Sequence, residues 1–396
     1  MNATPASARA ESSRHEAEAH VLYRVVNRVA IVTLNRPAAL NALSHAMVRE
    51  IAVLLERVRN DGNLVALVLE GAGPKGFCAG GDVRALYTLA REGRREGLHG
   101  WQQFFVDEYR LDYALHRFEK PLVALLDGVT MGGGMGLGQA AALRVATTRT
   151  KIAMPETRIG LIPDVGATHF LARMPVEMGL YVGLTGATLT GADAMHCHLA
   201  DACVDAEWLG DYEARLAQAQ WSGDVLGTLR AVFAAPGTPG TPGDTNEAAP
   251  SPLADIEPLV KRHFARNKRV AEIVVSLRAE LAREPAERER AWLESTLDAF
   301  GHFSPTMLEV TREALLRGRE ITLADSFRME LGIVGKAIGE GDFCEGVRAH
   351  LVDKDRSPRW SPATLDEVTP GSVRSFLASP WSEATHPLAD LGDSES

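Results

Sequence analysis

The residues best suited to chemistry lie in one stretch, residues 120–173. Two acids, Glu156 and Asp164, stand eight positions apart there, and a run of three glycines, residues 132–134, precedes them. The apolar pattern of residues 121–126 predicts a buried strand before the glycines. A small-residue helix, a second apolar strand and then the two acids follow. This order can bring backbone N–H groups and a carboxylate to one reacting carbonyl group.

A second glycine-rich segment, residues 71–82 (GAGPKGFCAGGD), could also contribute to a chemical site. It follows a predicted buried strand at Leu64–Leu69 and precedes a helix that begins near Asp82, a residue able to cap that helix. Glycines let the backbone approach a ligand closely. N–H groups at a helix start can bind an anion or a developing oxyanion. A plain tight turn explains this segment, taken alone, equally well.

The surrounding sequence predicts alternating strands and helices. Residues 21–35 form a strand pair around Asn27 and Arg28, and Ser44 is a helix N-cap. Helical apolar spacing recurs at residues 101–118. Ser304, followed by proline, marks the start of one of several amphipathic helices near the C-terminus.

The 396 residues allow two domains, or one large domain with an extension. Residues 1–20 are predicted to be a disordered tail, and residues 21–233 a core that holds the site. The Pro/Gly/Thr-rich residues 234–252 are a linker or a loop insertion. Residues 253–396 are a helical C-terminal region whose last stretch, from about Ser379, is frayed.

Composition excludes several classes of protein. Hydrophobic residues at 45% and charged residues at 24% are ordinary for a soluble globular chain. The net charge of −10 argues against binding to nucleic acid or to an anionic membrane. No stretch approaches 18 uninterrupted apolar residues, so we expect no membrane span. The short cluster His196, Cys197 and His198 has a helical pattern, and we predict no metal site there.

Four cysteines without a CxxC pair favour a reducing compartment. The first 20 residues have no apolar signal core, and their glutamates are unlike a transit peptide. We therefore expect a cytoplasmic location.

Five motifs closely resemble the crotonase (enoyl-CoA hydratase/isomerase) superfamily and, within it, the 3-hydroxyisobutyryl-CoA hydrolase branch. Superfamily motifs are FCAGGD (77–82), MGGGMG (131–136) and MPETRIGLIPDVGATHFL (154–171). Branch motifs are SPTMLEVTREAL (304–315) and GDFCEGVRAHLVDKDRSPRW (341–360). The resemblance runs from about Val21 to Val368 and leaves out the Pro/Gly/Thr segment.

The resemblance implies an α/β fold, a crotonase-like superhelix of ββα repeats with a helical C-terminal region. It also implies that the N–H groups of Gly81 and Gly133 bind the oxygen of an acyl-CoA thioester. Ala79, Asp82 and Gly132 are then expected to contact the substrate or its CoA portion.

Glu156 matches the catalytic carboxylate of the family. It can attack the carbonyl carbon to give an acyl-enzyme anhydride, or act as general base on water, and the sequence leaves both open. Asp164 matches the second acid of the branch and is expected to bind a substrate hydroxyl or orient water. A turn-forming aspartate after proline is the alternative.

The chain departs from the family pattern at Gly136, where hydratases carry a second glutamate, and at Cys344, where the branch usually has histidine. Loss of the second acid argues for hydrolysis over hydration. Arg36, Lys75 and Arg84 are candidates to bind the CoA phosphates, although solvated surface charge explains them as well.

Three functions follow from these observations. The first is hydrolysis of a short branched 3-hydroxyacyl-CoA, with a place in valine breakdown. The second is hydration or isomerisation of an enoyl-CoA. The third is a non-catalytic binding module of the same fold. No cofactor is expected because the thioester already activates its carbonyl group, and a homo-oligomer such as the trimer of many relatives stays open.

Overall fold

The computed structural model describes residues 19–92, 100–234 and 251–392, and a six-stranded sheet forms its centre. Strand β1 (Val21–Val26) pairs antiparallel with β2 (Val29–Leu34), and Asn27 and Arg28 between them both have positive φ. The predicted strand pair is confirmed. Parallel strands continue the sheet: β3 (Ala66–Gly71), β5 (Leu122–Leu126), β7 (Leu143–Thr147) and β10 (Ala202–Val204).

A smaller sheet positions the site. Its parallel strands are β4 (Gly76–Cys78), β6 (Val129–Met131) and β8 (Lys151–Ala153), and β9 (Leu189–Thr190) runs antiparallel to β8. Each of β4, β6 and β8 follows a strand of the larger sheet in the chain, which gives the repeated ββ units. Because carboxyl ends of neighbouring parallel strands meet at one edge, the segments that follow these three strands converge.

Helices connect and cover the two sheets. In the core they are α1 (His45–Asn60), α2 (Val83–Arg91), α3 (Gly100–His116), α4 (Gly133–Gln139), α5 (Ala167–Phe170), α6 (Val176–Thr185), α7 (Gly191–His196), α8 (Ala206–Gly210), α9 (Tyr212–Gln218) and α10 (Val225–Phe233). In the C-terminal region they are α11 (Pro252–His263), α12 (Val270–Leu281), α13 (Glu287–His302), α14 (Pro305–Arg317), α15 (Leu323–Gly339), α16 (Phe343–Val347) and α17 (Pro370–Leu377). The described chain therefore has the α/β architecture with a helical C-terminal region that the sequence predicts.

The larger sheet is buried on both faces. Along β2, Ala30 and Val32 join the main core, whereas Val29 and Ile31 face a second core formed with α9 and α10. Successive side chains of a strand point to opposite faces, so a strand buried on both sides must be apolar throughout. This is why β5 and the first four residues of β2 and of β3 are continuous apolar runs.

Several predicted local features are confirmed. The hydroxyl of Ser44 accepts a hydrogen bond from the Met47 N–H and caps α1. Ser304 caps α14 in the same way, with Pro305 as its first residue. The Asp82 carboxylate accepts from the Ala85 N–H at the start of α2.

The expectation of a frayed C-terminal stretch from Ser379 is wrong for residues 379–392. Leu388 is fully buried, and Arg110 on α3 holds Asp390 with two hydrogen bonds of 2.6 and 2.7 Å. An apolar anchor and a bidentate ion pair fix this stretch. The predicted tail and the Pro/Gly/Thr segment lie almost wholly outside the described residues, and the domain boundaries stay predictions.

Candidate active site

One cavity of about 360 Å³ brings the two glycine segments and the two acids together. It opens at the carboxyl ends of β4, β6 and β8, where the chain continues into the predicted site segments. Its lining includes six of the residues that the sequence singled out: Ala79, Gly81, Gly132, Gly133, Glu156 and Asp164.

The two glycine segments touch. A Cβ atom on Gly80, whose φ is +95°, would lie 3.1 Å from the Met131 carbonyl oxygen and 3.4 Å from the Gly133 nitrogen. Gly132 has φ 49° and ψ −124°, a conformation that only glycine adopts readily, and it turns the chain into α4. The N–H of Gly133, the first residue of α4, has no preceding helical turn to bond to. Because the two glycine segments approach so closely, their backbone N–H groups lie side by side.

Glu156 begins a 3₁₀ turn, Glu156–Ile159, directly after β8 and Pro155. Its side chain is buried, and its Oε1 lies 3.0 Å from where a Gly132 Cβ would be. No described residue hydrogen-bonds its Oε2. Burial, and then the nearby charge of Asp164, raise the pKa of Glu156 well above its ordinary value. When ionised, a buried carboxylate with an unpartnered oxygen is a stronger base and nucleophile than one in water.

Residues of the C-terminal region pack against the turn that begins with Glu156. Gly346 on α16 packs against the backbone of Ile159 so closely that a Cβ would overlap it. Gly160, with φ +74°, packs in the same way against Asp342. The Asp342 carboxylate accepts a 2.6 Å hydrogen bond from the Ser304 hydroxyl, and the Ser304 N–H donates to the Thr157 carbonyl. The position of Glu156 therefore depends on residues nearly 200 positions later in the chain.

Asp164 is buried and accepts a 2.6 Å hydrogen bond from the Tyr109 hydroxyl on α3. Burial raises the pKa of Asp164 to about 6, and the Tyr109 hydrogen bond partly offsets that rise. Its carboxyl group therefore changes charge near neutral pH.

Two buried acids on α3, Glu108 and Asp112, extend this cluster and were not predicted as site residues. Glu108 lines the cavity, and its Oε1 lies 2.5 Å from where a Gly133 Cβ would be. Asp112 sits one turn later, and neither of its oxygens has a hydrogen-bond partner in the described chain. Burial raises the pKa of both acids. The signal was present in the sequence, because positions 108 and 112 lie on the apolar face of the predicted helix 101–118.

Gly136 shows why a second glutamate is absent from α4. A Cβ there would lie 2.7 Å from an Asp112 oxygen and 2.8 Å from the Val165 Cβ, closer than atoms tolerate. The space beside Gly136 is filled from α3 instead.

The other predicted CoA contacts, Asp82, Arg36, Lys75 and Arg84, are not among the residues that line this cavity, and their contact with CoA stays a prediction. The Arg36 guanidinium donates to the Ala42 carbonyl at 2.7 Å and pairs with Asp82 at 3.1 Å. Arg84 donates to the Leu351 carbonyl at 2.9 Å. Lys75 is exposed, next to the turn that joins β5 to β6.

Comparison with known proteins identifies the family of this chain. The Enoyl-CoA hydratase/isomerase family pattern matches residues 29–377. The chain belongs to this family, and the predicted superfamily is confirmed.

Individual relatives differ in their names. A 3-hydroxyisobutyryl-CoA hydrolase of Rattus norvegicus is 36% identical over 93% of this chain and 91% of its own length. The small ribosomal subunit protein mS47 of Neurospora crassa is 38% identical over 89% of this chain and 70% of its own. A crystal structure titled as a carnitinyl-CoA dehydratase of Mycobacterium thermoresistibile has a TM-score of 0.77 at 37% identity, covering 91% of this chain and 96% of that one.

The expected cytoplasmic location is contradicted. The rat and cattle hydrolases similar to this chain are both named as mitochondrial proteins. A low cysteine count does not separate the two compartments. Within the described ranges, no helix is both long and apolar enough to cross a membrane.

Proposed function

We propose that the protein hydrolyses the thioester of a short 3-hydroxyacyl-CoA, with 3-hydroxyisobutyryl-CoA of valine breakdown as its substrate. The observation that carries this proposal is the meeting of Glu156, Asp164 and both glycine segments in one cavity. The names of the similar hydrolases support the choice of acyl group.

The thioester oxygen would accept hydrogen bonds from the Gly81 and Gly133 N–H groups. Negative charge grows on this oxygen as the carbonyl carbon is attacked, and preorganised donors stabilise it. Removing one such donor costs about 2.7–4 kcal/mol of transition-state stabilisation in other enzymes.

Glu156 would supply or activate the attacking group. In one route its carboxylate adds to the carbonyl carbon, the C–S bond breaks and water then cleaves the anhydride. In the other it takes a proton from a water molecule that adds to the carbonyl carbon, after which the C–S bond breaks and the departing sulfur takes up that proton. In both routes the products are the free acid and CoA thiol. Its unpartnered Oε2 suits either role, because no hydrogen bond must be broken first.

Glu108 and Asp164 would bind the 3-hydroxyl group. Both carboxyl groups line the cavity, and Glu108 faces Gly133, beside the expected position of the thioester oxygen. A hydroxyl that donates to a buried carboxylate satisfies an otherwise unpaired oxygen, so an acyl group without the hydroxyl should react poorly.

The decisive experiment measures thiol release from 3-hydroxyisobutyryl-CoA beside hydration of crotonyl-CoA. Wild type, Glu156→Gln and the exposed-site control Glu287→Gln are compared. Fast release that is lost only in Glu156→Gln supports the proposal. Hydration without thiol release refutes it.

Reversible hydration is the second candidate, and Glu108 favours it. With Glu156 it places two carboxyl groups on one cavity, as removal of water from a 3-hydroxyacyl group requires, and one similar structure is titled as a dehydratase. Glu108→Gln should then abolish hydration. If neither activity is found, the name of the Neurospora relative favours a non-catalytic role.

A further inference from the structure

Three polar side chains form a row along one face of α3, and this α3 row leads away from the active-site cavity. Glu108, Asp112 and His116 are spaced four residues apart, so their side chains follow one another on successive turns of the helix. Glu108 is buried and lines the cavity, Asp112 is fully buried, and His116, the last residue of α3, is partly exposed. The α3 row therefore runs from the cavity to the surface of the protein.

Each member of the α3 row has a buried polar atom without a hydrogen-bond partner in the described chain. These atoms are Oε1 of Glu108, both carboxyl oxygens of Asp112 and Nε2 of His116. Buried polar groups are almost always hydrogen-bonded, either to protein groups or to internal water. Unpaired atoms that follow one another at this spacing can be linked, directly or through water, into one hydrogen-bonded chain.

The surroundings of the α3 row leave room for such a chain. Gly136 on α4 packs against Asp112, and a Cβ at this position would lie 2.7 Å from an Asp112 carboxyl oxygen. At the outer end, burial lowers the pKa of His169 on α5, and the charges of Arg173 and His116 lower it further. The two imidazole rings therefore lie within electrostatic range of each other, and Nδ1 of His169 is another buried atom without a partner among the described residues.

Burial removes the ordinary charges of Asp112 and His116. It raises the pKa of Asp112 well above the ordinary value, and the charge of Glu108 raises it further. Burial also lowers the pKa of His116 to about 4, and the charge of Arg144 acts in the same direction. At neutral pH a protonated carboxyl group thus stands one helical turn from a neutral imidazole, which has one nitrogen free to accept a proton.

We propose that Asp112 and His116 carry the proton released by hydrolysis from the cavity to solvent, an inference that rests on the proposed function. Hydrolysis of a thioester gives an acid and a thiol; at neutral pH the acid ionises, whereas the thiol keeps its proton. One proton is therefore left over in each turnover. The acyl-CoA occupies the cavity during the reaction, and the α3 row reaches solvent without passing through the occupied space.

The transfer needs no net change of charge on the α3 row. Glu108 passes the proton of the product acid to one oxygen of Asp112, and the proton on the other Asp112 oxygen moves to Nε2 of His116. The proton on Nδ1 of His116 then leaves to water. Rotation of the carboxyl group and exchange of the imidazole tautomer restore the starting state.

The test measures kcat for thiol release in weakly buffered solution, with and without added imidazole. In His116→Ala we expect kcat to fall roughly tenfold or more while KM stays as in wild type. Added imidazole should restore kcat, because it replaces the missing side chain near the surface. Asp112→Asn should show the same fall without rescue, because its amide blocks transfer inside the protein. His20→Ala, at an exposed position before β1, is the matched control and should keep the wild-type kcat.

An unchanged kcat in both His116→Ala and Asp112→Asn would overturn this inference while leaving the proposed function intact. A fall in His116→Ala that imidazole does not reverse would also refute it, because a structural role explains such a loss.

If wild type releases no thiol, the proposed function fails, and infrared spectroscopy in D₂O still decides the inference. The band of the protonated Asp112 carboxyl group is identified by its absence in Asp112→Asn. This group should lose its fast hydrogen exchange in His116→Phe, because exchange then requires local opening of the protein. Equal exchange rates in wild type and His116→Phe would refute the α3 row as a path to solvent.

Discussion

Glu330 on α15 and Glu156 beside β8 are both buried carboxylates, and they differ in the donors around them. Glu330 accepts hydrogen bonds from the Gly166 N–H, the Thr168 N–H and the Thr168 hydroxyl, at 2.6–2.9 Å. Glu156 keeps one oxygen without any partner in the described chain, and so does Glu108. The first region uses its carboxylate to fix the backbone beyond Asp164, whereas the second leaves its carboxylates free for a ligand.

This contrast predicts that Glu156→Gln removes activity and leaves the fold intact. We expect kcat to fall about 10³-fold, the usual scale for a lost acid–base group. The melting temperature should stay equal to or above that of wild type, because an unpartnered buried acid is replaced by a neutral group. Thermal unfolding monitored beside thiol release checks both; a large loss of stability would mean that Glu156 is structural.

Glu330→Ala should behave in the opposite way. Two backbone N–H groups and a hydroxyl lose their acceptor, and each unsatisfied buried donor costs about 1–3 kcal/mol. We expect the free energy of unfolding to fall by about 3 kcal/mol or more in urea titrations. Glu287→Ala, at an exposed position, is the control and should change little; a Glu330→Ala protein as stable as wild type would remove the basis of the contrast.

The packing behind the Glu156 turn offers a sharper test. In Gly346→Ala the new methyl group overlaps the Ile159 backbone, so the turn must shift. A displacement near 1 Å can lower kcat about 10²-fold. Gly339→Ala, where a Cβ meets nothing within 4 Å, should keep full activity. Equal kcat in the two variants would show that α16 does not position Glu156.

Asp164 connects the two regions, and its titration should be visible in the rate. Its pKa of about 6 means that the carboxylate gains a proton as pH falls below that value, so kcat/KM should decline there if the ionised form is needed. The Tyr109 hydrogen bond lowers this pKa. Tyr109→Phe should therefore move the acid limb to higher pH, by about one unit. A limb that does not move would assign it to another group.

The smallest effect concerns Asp112. Its raised pKa means that the folded chain holds a proton which the unfolded chain releases above about pH 4, so its contribution to stability falls as pH rises. In Asp112→Asn the amide does not titrate, so the variant does not lose this stability as pH rises. We expect the variant to gain about 1 kcal/mol over wild type at pH 8 and less at pH 5, measured by urea unfolding. A gain independent of pH would contradict the assignment.

Much of the site was accessible from sequence because it lies in short, locally determined segments. Glycine clusters after buried strands, and acids after the next strand, follow from local turn geometry and from the period of apolar residues. Glu108 and Asp112 were not predicted as site residues, because a helical pattern shows that a face is buried but not which residues pack against that face. Their meaning depends on Gly133 and Gly136, which contact them across the fold.

The sequence by itself determined the strands, the glycine turns and the capped helices at Ser44 and Ser304, since each depends on neighbours a few positions away. Glu156 and Asp164 were singled out by motifs that resemble a known family, and their roles stay predictions. Only the tertiary structure decided that three parallel strands end together, that α3 adds two carboxyl groups and that α16 packs behind Glu156. These are contacts between segments distant in the chain, and they are fixed by packing volume and by burial of charge, which no local pattern encodes.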